Sequence, residues 1–345
     1  MKLFKSLFCL VAILGLLVVL TGCPKSAIKA DPKGMVYFTY FDTVSYIYCY
    51  SDVSDEDFGE KCGEVSDILG EYHKLFDIYY EHSGVTNLRT LNLNAGGEPM
   101  KVDSKLVDFL LYAKELYAAT NGEMNIMMGS VLRLWHDARE GGVSIPSEET
   151  LKEAALHTSI DLLEIDEKNQ TVRISDPEAS IDVGALGKGY ATEKAAKYLE
   201  EIGAESYVLN IGGNIRIVGT KPDGSGWKTG IKNPADPSTY SKYLTLSNIS
   251  CVTSGNYERY YTVDGVRYHH IIDKDTLMPS NHFASVSIIT SDSGLADALS
   301  TALFSMSYED GVKIVEKLDG VDVIWITQDG EIYTTKGIAK LEATN

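Results

Sequence analysis

Ser285-Val-Ser-Ile-Ile-Thr290, running straight into Ser291-Asp-Ser-Gly-Leu-Ala-Asp-Ala-Leu-Ser-Thr-Ala-Leu-Phe304, decides the fold class. The first six residues read as a strand. In the second piece Leu295, Ala298, Leu299, Ala302 and Leu303 recur at helical spacing, which predicts a helix over 295–306. Asp297 and Thr301 stand four apart on it, so their oxygens share one face. A carboxylate and a hydroxyl are hard ligands, suited to a magnesium ion that spends its other positions on water and a substrate's phosphates. The same pair also fits a capped amphipathic helix with two solvated polar residues.

Outward from this stretch, strands and helices interleave without a regular βαβ rhythm. Val36 to Tyr50 alternates and reads as one strand. Asp57 to Phe76 carries Phe58, Val65, Ile68, Leu69, Tyr72 and Phe76 at helical intervals, and Ser104 can cap a second helix through Ala119. A shorter helix is expected at 151–156, strands at 162–165 and 171–174, a helix at 188–202, and strands at 207–211 and 214–218. From Trp227 the chain is β-rich, with strands at 243–246, 257–263 and 285–290, a helix at 309–318 and a last hairpin around Asp329-Gly330. Antiparallel hairpins mixed with helices point to an α+β fold rather than a doubly wound parallel sheet. With 345 residues and 44% hydrophobic composition, the chain can bury a large core in one domain or two intimate ones.

The N-terminus has the form of an export signal. Lys2 and Lys5 precede a nearly unbroken apolar run from Leu7 to Leu20, which ends at Leu20-Thr-Gly-Cys23. About fourteen helical residues span roughly 21 Å, short of the roughly 30 Å hydrocarbon core, so a cleaved leader over 1–22 is expected. Small residues before a cysteine resemble the bacterial lipobox. That resemblance implies diacylglyceryl transfer and acylation (palmitate) at Cys23, a tether over 23–35, and a cell-membrane location facing the extracytoplasmic side. Loss of Lys2 and Lys5 with the leader takes the formal net charge from −18 to about −20. So acidic a body, without a basic stripe, excludes nucleic-acid binding. Beyond Cys9 and Cys23, the cysteines Cys49, Cys62 and Cys251 match no zinc spacing; they read as small buried hydrophobes or free thiols, with room for one disulfide.

Several motifs carry chemistry. Asp182-Val-Gly-Ala-Leu-Gly-Lys-Gly-Tyr190 ends a strand and opens a helix, where exposed amides, the helix dipole and Lys188 would suit a pyrophosphate. It is neither a Walker A loop nor a Rossmann fingerprint, and a plain tight turn is the other reading. Asn210-Ile-Gly-Gly-Asn214 fits a glycine hairpin. Thr253-Ser-Gly-Asn-Tyr257 lacks the Gly-x-Ser-x-Gly elbow, so Ser254 is not read as a nucleophile. His270, in His269-His-Ile-Ile-Asp273, can place an imidazole at a site while its neighbours are buried; His136 beside Trp135 reads as structural.

The order of these motifs, with Phe41-Asp-Thr43, Phe76-Asp-Ile-Tyr79, Asn121-Gly-Glu-Met-Asn125, Leu134-Trp135 and Ala296-Asp-Ala-Leu-Ser-Thr301, resembles the ApbE-type flavin transferases, the FAD:protein FMN transferases, over residues 36 to 335. The resemblance implies an ApbE-like, T-fold-related α+β domain over 36–340, with mixed antiparallel sheets and packed helices. It implies magnesium-dependent transfer of FMN from FAD to a Thr or Ser of an acceptor protein, with release of AMP. Carried over are Ala185 (through its carbonyl), Asp297 and Thr301 as magnesium ligands, and Phe41, Tyr79, Glu123, Met124, Asn125, Lys188 and Ile271 as flavin-nucleotide contacts. His270 is the candidate base and Asp273 its orienter. The chain departs from the family's usual Ala-Phe-Asp at Glu123-Met124-Asn125, from Met-Gly-Thr at Phe41-Asp42-Thr43, and from Asp-Pro-x-Thr-Gly at Asp273-Lys-Asp-Thr-Leu277. Those departures touch ligand contacts and loop shape and leave Asp297, Thr301, Lys188 and His270 in place. No Ser/Thr-Gly-Ala-Ser/Thr acceptor segment occurs in the chain, so a separate exported acceptor is expected, a membrane redox subunit by family precedent. Rival readings are an FAD pyrophosphatase yielding FMN and AMP, and a lipid-anchored flavin-binding protein without chemistry.

Overall fold

The computed structural model describes residues 32–343. The leader, Cys23 and most of the tether lie outside the described residues. In chain order the elements are β1 Lys33–Tyr40, β2 Thr43–Cys49, α1 Asp55–Phe76, α2 Leu88–Leu93, β3 Met100–Lys101, α3 Ser104–Ala119, α4 Gly129–Gly141 and α5 Glu148–Ala155. Then come β4 Leu163–Asp166, β5 Thr171–Ile174, α6 Gly187–Glu201, β6 Tyr207–Ile211, β7 Asn214–Val218, β8 Trp227–Asn233, β9 Asp236–Leu246 and β10 Ser250–Gly255. β11 Tyr260–Val263, β12 Val266–His269, β13 Ser285–Thr290, α7 Ser293–Phe304, α8 Tyr308–Val315, β14 Asp322–Ile326, β15 Ile332–Thr334 and α9 Ile338–Leu341 complete the fold. No described helix is long and apolar enough to cross a membrane.

The centre is an eight-stranded sheet in the order β1-β2-β6-β7-β10-β13-β14-β15, with every neighbouring pair antiparallel. All six residues of β13 are buried, because each face of the strand is covered. Val286 and Ile288 face the larger core with Leu299 and Leu303 of α7, while Ile289 joins Trp227, Leu244 and Leu246 of the β8–β9 hairpin and Ile338 of α9. The molecule is therefore layered: helices α1, α6 and α7, then the sheet, then a hairpin.

Local chemistry explains most elements. Ser54 caps α1, acids fill its first turn, and His73 and Lys74 sit in its last, as the helix dipole favours. Asp292 caps α7 by accepting the Leu295 N–H at 2.9 Å. Where the structure departs from the sequence expectations, a backbone detail is responsible. The single strand expected from Val36 to Tyr50 is a hairpin, because Phe41 and Asp42 adopt φ of 52° and 49°, the left-handed pair that tight antiparallel turns require. Asp103, not Ser104, caps α3, accepting from the Lys105 N–H at 2.8 Å. Helix α4 starts at Gly129 after Met128, which offers no side-chain cap, so it lacks the usual start signal. Cys49, Cys62 and Cys251 are free and buried, with no disulfide between them.

Candidate active site

Helix α6 begins without a cap from the side chain at its own N-cap position; the Gly187 N–H donates to the Val183 carbonyl at 2.8 Å, and the Gly189 N–H is left for an acceptor from elsewhere. Asp297 of α7 supplies one: its Oδ2 accepts the Gly189 N–H at 2.8 Å. Only glycine fits there, since a Cβ at 189 would meet the Ser293 carbonyl oxygen at 2.3 Å and the Asp297 Cβ at 2.4 Å. The same Oδ2 lies 3.4 Å from Asn214 Nδ2 and 3.6 Å from Lys188 Nζ. Lys188 in turn donates to the Gly184 carbonyl at 3.0 Å, which joins the turn bearing Ala185 to the Asp297 carboxylate. One helical turn beyond Asp297, Thr301 Oγ1 lies 3.4 Å from Ser254 Oγ, and Ser254 lies 2.8 Å from Ser300 Oγ.

The structure thus brings Lys188, Asp297 and Thr301 together from two helices, with Ala185 next to Gly184 in the turn before one of them. Their donors, carbonyl, carboxylate and hydroxyl, are hard oxygens. Asn214, 1% exposed, adds a buried Oδ1 with no hydrogen-bond partner beside Asp297. A leftover acceptor of this kind fits a hard divalent cation and is costly without a partner. Asn214 and Ser254 fall in glycine-containing motifs of the sequence, but those motifs do not assign them here, because each lies in a strand whose register delivers it to Asp297 or Thr301.

His270 is half-buried beside these groups. Its Nδ1 lies 3.2 Å from the Arg259 carbonyl, and since a carbonyl only accepts, Nδ1 carries the proton and Nε2 keeps its lone pair. Burial, reinforced by the Arg259 guanidinium and more weakly by Lys188, pushes the imidazole down to about 3, so it is neutral near pH 7. Asp273 does not orient it. Its Oδ1 accepts the Asp275 and Thr276 N–H groups, each at 2.8 Å, and its Oδ2 lies 4.0 Å from His282 Nε2. The carboxylate shapes its own turn, and the Arg259 carbonyl holds the imidazole instead.

The remaining expected flavin contacts divide. Tyr79 lines a cleft of about 220 Å³ with Asp182, His136 and Arg133, while Asp297, Thr301 and His270 lie outside that lining. The Tyr79 phenol is raised by burial and then by Asp182 and Asp42, with Arg139 and more weakly Arg259 acting in the opposite sense. His136 faces it with ring centroids 5.4 Å apart, so this histidine belongs to the cleft wall. Phe41 is half-buried at the β1–β2 turn. Glu123 pairs with Lys274 at 3.2 Å, and burial raises its carboxyl. The Met124 and Ile271 side chains are 2% and 4% exposed and sit in the main core. Asn125 spends its amide on the Met127 N–H and the Thr158 carbonyl, so it holds its loop.

The ApbE family model matches residues 41–325. The chain belongs to the ApbE family. It is 30% identical over 326 residues to the FAD:protein FMN transferase of Vibrio cholerae, covering 93% of this chain and 94% of that one. The Treponema pallidum protein of the same name is 31% identical over 268 residues, 73% of each chain. The crystal structure of the ApbE protein from Thermotoga maritima matches with a TM-score of 0.81 at 28% identity, covering 91% of this chain and all of the other. The Vibrio cholerae flavin transferase ApbE matches with a TM-score of 0.76 at 26% identity, covering 90% of this chain and all of the other. The expected ApbE-like α+β fold is the one observed.

Proposed function

We propose that this ApbE-family chain transfers FMN from FAD to a Thr or Ser hydroxyl of an acceptor protein and releases AMP. The observation that carries the reading is the meeting of Asp297 with the start of α6, with Lys188 between them. A magnesium ion held by Asp297, Thr301 and the Ala185 carbonyl, with Asn214 Oδ1 adjoining, would neutralise charge on the FAD pyrophosphate. Lys188 adds a fixed positive charge on the same side. The acceptor oxygen forms a bond to the FMN phosphorus, the bond from that phosphorus to the AMP oxygen breaks, and the hydroxyl proton passes to His270 Nε2. The Arg259 carbonyl keeps the imidazole in the required tautomer. Tyr79, on the wall of its cleft, and Phe41, at the β1–β2 turn, would contact the flavin nucleotide.

The lipobox at Leu20-Thr-Gly-Cys23 supports a lipid anchor that holds the domain at the extracytoplasmic face of the cell membrane, within reach of an exported acceptor such as a membrane redox subunit. Mass spectrometry of an acceptor peptide incubated with FAD, magnesium and the protein decides the reaction. A covalent FMN adduct with stoichiometric AMP is expected, and both are lost in Asp297→Ala. Free FMN with an unmodified peptide would replace transfer by hydrolysis, and FAD binding without AMP would leave only capture.

A further inference from the structure

The end of α1 and the loop after it gather three side chains of metal-ligand type. A ring nitrogen each from His73 and His82 and a carboxylate oxygen of Asp77 all lie within 4.8 Å of one another. The sequence explains the grouping. His73 and Asp77 stand four apart, which puts them on one face of the helix end, and the turn through Tyr79 and Tyr80 returns the chain so that His82 Nε2 reaches 2.9 Å from Asp77 Oδ2. Asp77 Oδ1 is already committed, accepting the Tyr79 and Tyr80 N–H groups at 2.7 and 2.9 Å. Such backbone bonds fix a carboxylate and aim its other oxygen, as ligating carboxylates require. Asp77 is 8% exposed, and among the described residues its ion-pair partner is a histidine, with no lysine or arginine within 4 Å. A cation beside a buried carboxylate in that position would stabilise it further.

We propose that His73, Asp77 and His82 form a transition-metal site separate from Asp297 and Thr301, with zinc as the best-matched ion. Two imidazoles and one carboxylate favour zinc over magnesium, and three protein ligands leave a fourth position open. Zinc bonds of about 2.0–2.1 Å set tetrahedral donors about 3.3 Å apart, so the observed span closes with small side-chain rotations. The cluster also touches the β1–β2 turn: the Phe41 N–H lies 3.3 Å from His73 Nδ1, and the Phe41 ring meets the imidazole edge-on with centroids 5.5 Å apart. An ion bound through either His73 nitrogen ends the Phe41 N–H contact to Nδ1, because a neutral imidazole has a single lone pair, and leaves the edge-on ring contact between the turn bearing Phe41 and the helix end. Any effect of that change on flavin binding rests on the function proposed above; the ion site does not.

Cobalt(II) is the probe, added to the whole metal-stripped protein in excess magnesium. A single equivalent giving visible ligand-field absorption, displaced by zinc, is expected in the wild type and equally in Asp297→Ala. In His82→Ala and His82→Gln the affinity for cobalt falls by on the order of tenfold or more, with the far-UV spectrum and melting temperature retained. The proposal is overturned if the band survives both His82 substitutions, if it disappears in Asp297→Ala, or if the wild type binds no stoichiometric cobalt, which would leave Asp77 and His82 an ordinary ion pair.

Discussion

Replacing Gly189 by alanine adds one methyl group at the point where α6 and α7 touch. In an open helix interior this change stabilises by about 1 kcal/mol, since alanine loses less conformational freedom than glycine. Gly63, in the middle of α1 with nothing within 4 Å of a new Cβ, is that reference case. At Gly189 the new atom meets the Ser293 carbonyl oxygen at 2.3 Å and the Asp297 Cβ at 2.4 Å, and neither is the end of a flexible side chain. Restoring ordinary contact at 3.4 Å requires α6 and α7 to part by about 1 Å. Overpacking of this kind costs about 1–3 kcal/mol, so the helix gain is outweighed. The same shift stretches the 2.8 Å bond from Gly189 to Asp297, and a misplacement of about 1 Å costs on the order of 100-fold in rate. Gly189→Ala is therefore expected to melt lower than wild type and to transfer FMN to an acceptor peptide about 100-fold more slowly, whereas Gly63→Ala keeps full activity and melts about 2 °C higher. Full transfer activity in Gly189→Ala would refute the argument that Asp297 is positioned by its contact with α6.

Other predictions follow from burial and charge. Arg216, 1% exposed, pairs with Glu193 at 3.0 Å and Glu200 at 2.6 Å, and Glu193 also accepts the Ser293 N–H. Arg216→Met leaves Glu193 buried with only the half-exposed Lys197, 3.7 Å away, as its cation and should cost about 3–5 kcal/mol in urea unfolding; a loss under about 1 kcal/mol, typical of an exposed pair, would contradict this. Leu277 holds φ of 59°, a conformation that favours glycine, yet its side chain is 9% exposed among Trp135 and Met128. Leu277→Gly relieves about 1–2 kcal/mol of backbone strain but forfeits about 2–5 kcal/mol of packing, so net destabilisation is expected, and a higher unfolding midpoint would show that strain dominates. The His270 imidazole is depressed from 6.5 to about 3, so its stabilising effect is whole above about pH 6.5 and is lost as pH falls toward 3. The pH profile of kcat/KM should accordingly lack an acid limb with an apparent pKa near 6.5, and a limb there that vanishes in His270→Ala would show that the imidazole is not held neutral.

The long helices, the second-half strands and the α+β class were legible because amphipathic periods of 3.6 and 2 recur in them and caps mark their ends. The hairpin turn at Phe41-Asp42 was not, because a phenylalanine at positive φ is held by His73, thirty-two residues away. Asp297, Thr301 and Lys188 could be read from helical spacing and from the glycine-rich turn. Asn214 could not: its place depends on β7 lying under α6, a register that local sequence does not specify. Asp273 misled for the reverse reason. An aspartate three residues after a histidine looks like an orienter, but it closes its own turn by accepting the amides two and three residues on, which is the commoner use of that side chain.

A body with a formal net charge of −18 must hold a doubly charged pyrophosphate against its own long-range field. On the function proposed above, attraction therefore has to be local, with Lys188, Arg259 and any ion held by Asp297 and Thr301 as its sources. Lys188 and Arg259 are also the cations that, together with burial, keep His270 near 3. An imidazole so depressed is a poor base in the free protein, which protects the site from idle protonation. Once a pyrophosphate sits among those cations, its negative charge offsets their effect, and the proton affinity of Nε2 rises where the acceptor hydroxyl must lose its proton. On the function proposed above, cations that hold the substrate would thus make the basicity of His270 depend on the substrate being bound.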